Sequence, residues 1–397
     1  MIFDSAENRR LIDLFRAVAI LQVVLFHVVH GIVRFAPADT APALVARLPG
    51  VLNVAWQAYG VDLLFMVSAL LLAVPLIHEV SRHGTIDLRG YFVRRVARIL
   101  PLYYLAVLFY ALAQGSSAQE VFLSALFLGF IVGDYNVIPV GWTMEAIMAF
   151  YLALPFAVLW LQRRRYPHLW IAAALALSLL VRGAYVFVQD ESFADMVPRA
   201  IAARSLPAPM FELYFRVWFR IAPFLIGLSA AYFLARRPDL SAWLARRAGA
   251  RRLLNVAAGA LTVAIVWMPV QAPAPLGLGE PFWRLYWTLA PALFAAAAAW
   301  VLVAGLDRGW RLAGPWTMLS RNIFGIYLFH MPMLVLAAVI VFRSTSRAAL
   351  ASAGAWQVLA VFILASILSL GLALFLARTF ERPIESWLRR RLHGTQN

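Results

Sequence analysis

The sequence predicts an all-α polytopic membrane protein of about ten transmembrane helices, and three observations carry that reading. Of its 397 residues, 63% are hydrophobic and 14% charged, with a mean hydropathy of +0.78. A soluble domain is about 45–50% apolar and about 25% charged, so no single globular core could hide this excess. At about 20 residues per crossing, the length holds about ten to twelve spans. The formal charge of +16 is carried entirely by arginine, since the chain has no lysine. These arginines stand between apolar runs, which is the distribution of a membrane protein and not of a nucleic-acid binder.

The spans follow in order. Apolar runs fall at about 15–34, 56–77, 99–114, 142–162, 168–187, 212–235, 253–270, 282–305, 322–342 and 355–377. The first starts after Arg9 and Arg10 and lacks a small-residue cleavage site, so it reads as a retained span and not as a signal peptide. A further run, 121–133, is short and bounded by Gly133 and Asp134. If it does not cross, and both termini are cytoplasmic, the inner segments collect most of the arginines, among them Arg163, Arg164 and Arg165, Arg308, Arg311 and Arg321. The outer loops then hold only Arg47, Arg199, Arg204, Arg343 and Arg347. A crossing there would invert every later loop, so the positive-inside rule favours ten crossings plus one short re-entrant or interfacial segment at 121–133. The small-residue stretch 295–299 suits close helix packing. With no repeat, low-complexity linker or soluble appendage in view, 1–397 reads as a single membrane-embedded domain.

Composition also removes chemistries. With no cysteine, there are no disulfides, thiolate zinc sites, iron–sulfur clusters or cysteine nucleophile. Ionisable residues inside the runs are expensive and become functional candidates. Asp13, Glu212 and Arg284 lie near span ends, where snorkelling removes most of the cost. Arg182, Arg216 and Arg220 are expected to pair with Glu212 or with loop carbonyls.

In the first run, Arg16 and His27 are eleven residues apart. Eleven steps of about 100° come within about 20° of three full turns, so the two share one helix face about 16 Å apart along the axis. A permanent cation near one surface and an imidazole near the midplane thus face the same interior. His30 is three residues further on, but no third ligand is evident, so no metal site is expected. Arg94 and Arg98, four residues apart beside Arg95, put two guanidiniums on one face at the entrance of the third run. Such a pair suits phosphate, or serves as a positive-inside anchor.

Set side by side, these segments resemble the integral-membrane acyltransferase-3 family, bacterial O-acyltransferases acting on surface carbohydrates. The resemblance covers almost the whole chain. It rests on Asp13-x-x-Arg16 with His27, on the Gly60-Val61-Asp62 block running to Ser68, and on Arg94-Arg95-x-x-Arg98 with Pro101, Tyr103 and Tyr104. Trp142-Thr143 with Phe150, Tyr151 and Pro155 continues it, as does Tyr327-x-x-His330-x-Pro332. Two departures stand out: Ser68-Ala69 replaces the usual Ser-Gly, and the family glutamate five residues after the tryptophan is here Ile147. Glu145 precedes that position by two residues, or about 200° of helix rotation.

The resemblance implies transfer of an acyl group, typically acetyl, from cytoplasmic acyl-CoA to a hydroxyl of an extracytoplasmic carbohydrate, free or lipid-linked. It implies a bacterial inner membrane location and acyl-CoA as a co-substrate, with no tightly bound cofactor. His27 is then the general base, with Asp62 orienting it or pairing with Arg16, and Glu145 a candidate for the displaced glutamate. Arg94, Arg95, Arg98 and Arg16 form the CoA rim. Arg16, Trp142 or Tyr327 could donate to the oxyanion, and His330 is either a second catalytic group or a polar lock between helices. A carrier or flippase for a lipid-linked sugar or small anion, and a scaffold subunit, are the alternatives from other classes.

Overall fold

The computed structural model describes residues 5–37, 39–48, 59–237, 239–271, 277–306, 308 and 314–393. Among them, ten helices are long and apolar enough to cross a membrane, called here the first to tenth spans: Ala6–Phe35, Tyr59–His83, Leu88–Gln114, Trp142–Gln162, Pro167–Phe187, Val217–Ala235, Ala248–Met268, Glu280–Gly305, Ile323–Phe342 and Ala355–Trp387. Each coincides with one predicted run. Positions 56–58 of the second run, and Arg311, lie outside the described residues.

Where boundaries differ, local chemistry explains it. The first span begins nine residues early because Ser5 caps it, its hydroxyl accepting from the Asn8 N–H at 3.0 Å. The third begins at Leu88, where the Asp87 carboxylate accepts from the Gly90 N–H at 2.9 Å; residues 88–98 are an arginine-bearing extension that hydropathy alone does not count. The sixth begins late, at Val217, because the run predicted from 212 is interrupted at Arg216, between a short helix Ala208–Phe215 and a single 3₁₀ turn Val217–Arg220.

The second span is the most enclosed, 78% of its apolar window being buried, against 11% for the seventh. It packs against the first, fourth, sixth and eighth spans, and the first also meets the ninth and tenth. Two of these contacts need glycine. A Cβ on Gly227 would collide with the Met66 carbonyl, and one on Gly60 with the Gln22 side chain and the Ala19 carbonyl. Close backbone approach of this kind holds membrane helices together where no hydrophobic drive exists between them.

Prolines interrupt several spans, each leaving the carbonyl four residues earlier without its helical donor. In hydrocarbon that carbonyl needs another partner. Three find one from a neighbouring helix. Pro155 frees Tyr151, whose carbonyl accepts from the Tyr91 hydroxyl at 3.1 Å. Pro332 frees Leu328, which accepts from Tyr110 at 3.0 Å, and Pro291 frees Trp287, which accepts from Arg182 Nε at 2.9 Å.

The 121–133 segment does not cross. It forms two short helices, Ala118–Ala125 and Gly129–Val132, the first opened by a Ser117–Glu120 capping box. Tyr103 donates to the Ser124 carbonyl at 2.8 Å and Tyr104 to that of Ala125 at 3.3 Å. Tyr103 lies eleven residues, about 16 Å, before the end of its helix, so the segment folds back alongside the third span. Non-helical backbone at that depth requires internal partners. Ser124 supplies one by accepting from the Val137 N–H at 2.8 Å, and Gln114 another by donating to the Val137 carbonyl at 3.2 Å.

Candidate active site

Between the first, second, third, fourth and ninth spans lies a cavity of about 310 Å³. Arg16, Arg95 and Arg98 line it together with apolar groups that include Leu64, Phe65, Ile99 and Ile147, and with Thr143 and Tyr327. The guanidinium pair facing it is therefore Arg95 with Arg98, not Arg94 with Arg98. Arg94 is exposed, whereas Arg95 is half-buried over the Tyr91 and Tyr151 rings. A helical face admits either pair, i+3 or i+4, and packing of Tyr91 against the fourth span selects the first.

Tyr327 and Thr143 form a polar latch in the wall. Their hydroxyls are 2.8 Å apart, and both reach the Val140 carbonyl in the turn that precedes the fourth span. That carbonyl takes the Tyr327 proton, so the Tyr327 hydroxyl is not aimed at an oxyanion. Trp142 is packed, its ring against Tyr214 and beneath Arg220.

Behind the latch stand two histidines. His330, fully buried, has Nδ1 2.7 Å from the Tyr327 carbonyl. His27, half-buried, has Nδ1 2.8 Å from the Val23 carbonyl, one turn back along its own helix. A carbonyl only accepts, so each Nδ1 carries the hydrogen. His330 Nε2 then holds a lone pair, and it lies 3.1 Å from His27 Nδ1. His27 Nε2 is left as an unprotonated nitrogen, the form a general base requires. Arg16 and His27 both stand on the first span, but they do not line one cavity, contrary to the expectation from their spacing. Of the two, only Arg16 lines the cavity; His27 reaches it through His330, which contacts Tyr327 of the wall.

Asp62 neither orients His27 nor pairs with Arg16. Its Oδ2 binds Arg220 Nη2 at 3.1 Å, with both residues buried. The sequence reading paired Arg220 with Glu212 or carbonyls; instead Glu212 takes Arg216 at 2.9 Å, which raises the Arg216 guanidinium above its ordinary range. Arg216 also donates to the Phe130 carbonyl, and Arg182 to those of Trp287, Leu213 and Phe219. Asp62 and Arg220, with His30, Phe26, Tyr59, Tyr214 and Trp287, line a second, smaller cavity.

Glu145 is buried and accepts from the Phe130 N–H at 2.9 Å, the Ile131 N–H at 3.2 Å and the Asn136 amide at 2.7 Å. It thereby caps the helix Gly129–Val132 and fixes the folded-back segment. The rotation between positions 145 and 147 decides this: Ile147 faces the arginine-lined cavity and Glu145 faces the segment. Sequence reasoning passed over Asn136, Tyr214 and the latch hydroxyl of Thr143, whose roles come from chain-distant partners. The buried charge of Arg220 was the available signal for the second cavity.

Residues 9–378 match the model of the acyltransferase-3 family, described as an acyltransferase domain. The chain belongs to this family. No curated protein and no solved structure matches it. Membership makes the chain an acyltransferase and decides for an enzyme over the carrier and scaffold readings. The matched region takes in nearly all of the acyltransferase's ten spans, both cavities and the histidine pair.

Proposed function

We propose that this acyltransferase moves an acyl group, acetyl in the simplest case, from cytoplasmic acyl-CoA to a hydroxyl of an extracytoplasmic carbohydrate, with His27 as general base. The observation that carries the reading is an arginine-lined cavity whose wall residue Tyr327 is linked through His330 to His27, whose Nε2 is left unprotonated. Arg95, Arg98 and Arg16 suit the phosphates of CoA, each guanidinium offering a planar pair of donors. The apolar stretch beyond them suits the pantetheine arm, and the latch marks where the thioester would halt. Opening of the Tyr327–Thr143 bond then brings the thioester to His27.

In the reaction, the acceptor O–H gives its proton to His27 Nε2 while its oxygen forms a bond to the thioester carbonyl carbon. Collapse breaks the C–S bond, and the imidazolium returns the proton to the departing CoA thiolate. The His330 Nε2 lone pair, facing His27 Nδ1–H, steadies the imidazolium in between, as the third member of a nucleophile–base–orienter set does. Trp142 and Tyr327 are otherwise engaged, and Arg16, about 16 Å along the helix from His27, belongs to the phosphate rim and not to the oxyanion. The bacterial inner membrane, with both termini in the cytoplasm, is the setting that the arginine asymmetry supports.

The test is reconstitution in lipid nanodiscs with radiolabelled acetyl-CoA, following label as it leaves CoA. His27→Ala is expected to lower the rate at least about 100-fold, the ordinary worth of a general base, while the protein stays folded. A wild-type rate in that variant would remove His27 from the mechanism.

A further inference from the structure

We propose that the second cavity binds the acceptor, holding one of its hydroxyls between Asp62 and Arg220. Asp62 is 0% exposed and Arg220 4%, and their ion pair uses only Oδ2 and Nη2. Among the described residues, neither Asp62 Oδ1 nor Arg220 Nε, both buried, has a hydrogen-bond partner. Leaving such groups unmatched is costly, and both side chains line this cavity.

A carboxylate oxygen only accepts and a guanidinium N–H only donates. One hydroxyl does both, and so completes the pair. An anion would complete Arg220 but meet the Asp62 oxygen, and a cation would do the reverse; Arg182, which also lines the cavity, already donates to the carbonyls of Trp287, Leu213 and Phe219. The cavity, of about 60 Å³, takes an edge of a polyol or sugar ring and not a whole ring. Tyr59, Tyr214, Trp287 and Phe26 supply flat apolar walls, the usual complement to a few fixed polar groups in a small-molecule site.

Position supports the same assignment. Phe26 touches the His27 ring at 4.8 Å, His27 touches His330 at 4.8 Å, and Tyr327, 5.8 Å from His330, lines the arginine cavity. The histidine pair thus stands between the two cavities, one suited to a donor and the other to a hydroxyl. The inference rests on the acyl-transfer reading for the meaning of "acceptor", while the hydroxyl site itself can be tested without turnover.

The chain has no cysteine, so Met210→Cys in the second cavity and Ile147→Cys in the first each give a single reactive thiol. Thiol modification is timed with and without methyl β-D-glucopyranoside, and separately with acetyl-CoA. The glucoside should slow modification at 210, and Asp62→Asn should weaken that protection about tenfold, the worth of a lost hydrogen bond to a charged group. The charge-neutral double variant Asp62→Asn with Arg220→Gln should behave alike. Acetyl-CoA protection at 147 confirms that each variant is folded. No protection by the glucoside at 210, or equal protection in the variants, overturns the site and leaves a cavity for buried water only. Loss of acetyl-CoA protection at 147 in the otherwise native chain sinks the donor reading alone.

Discussion

At the scale of single residues, His27 and His330 show how a backbone fixes a proton. Two carbonyls, Val23 and Tyr327, hold both Nδ1 hydrogens and so set both tautomers. On the proposed mechanism His330 acts on His27 and not on substrate, as a positioning residue. His330→Phe is expected to lower kcat about 10- to 100-fold with KM for acetyl-CoA unchanged. His330→Asn, whose carboxamide oxygen can accept from His27 Nδ1–H, should recover part of the loss in the same assay. Glu145→Gln replaces one acceptor oxygen with a donor that faces backbone N–H groups. It should cost about 1–3 kcal/mol, read as a lower melting temperature in detergent. Both histidines were legible in the sequence as ionisable side chains in apolar runs. The role of Glu145 was not, because its partners, Phe130, Ile131 and Asn136, reach it only through tertiary folding.

At the scale of elements, the prolines convert local defects into bonds between helices. Tyr110 is needed because Pro332 leaves the Leu328 carbonyl open. The two should therefore couple: Tyr110→Phe alone destabilises by about 1 kcal/mol, and the same change in Pro332→Ala costs much less, since the alanine supplies the missing N–H. Thermal unfolding of the four proteins in the cycle measures this. Gly227→Leu should prevent correct packing of the sixth span on the second, seen as loss of the monodisperse detergent-solubilised protein. The spans themselves were legible from hydropathy, and all ten agree within the reach of caps and amphipathic extensions. Which guanidinium of Arg94, Arg95 and Arg98 faces inward was not, since helix spacing allows both pairs and only the contact with Tyr91 and Tyr151 separates them.

At the scale of the whole molecule, the proposed topology takes the ten apolar helices found among the described residues as ten crossings, with both ends of the chain on the cytoplasmic side. Single cysteines at Arg164 and Arg347, both exposed, should be labelled by impermeant reagents from opposite sides, Arg164→Cys from the cytoplasm. Labelling of both from one side would overturn the arrangement. Fold class and span count were readable because the bilayer imposes length and polarity on each segment separately. The two cavities were not, because each is assembled from four or more chain-distant segments.

The two cavities share no lining residue among those described; Trp142 packs on Tyr214, a wall of the second, and the histidine pair adjoins Tyr327, a wall of the first. A reaction that joins reactants from opposite compartments would otherwise need a hole, through which protons would run down their gradient. On the proposed reading, an aromatic bulkhead lets the acyl group cross while the bilayer keeps its voltage. Vesicles carrying the wild-type protein should hold a pH gradient as long as empty ones do.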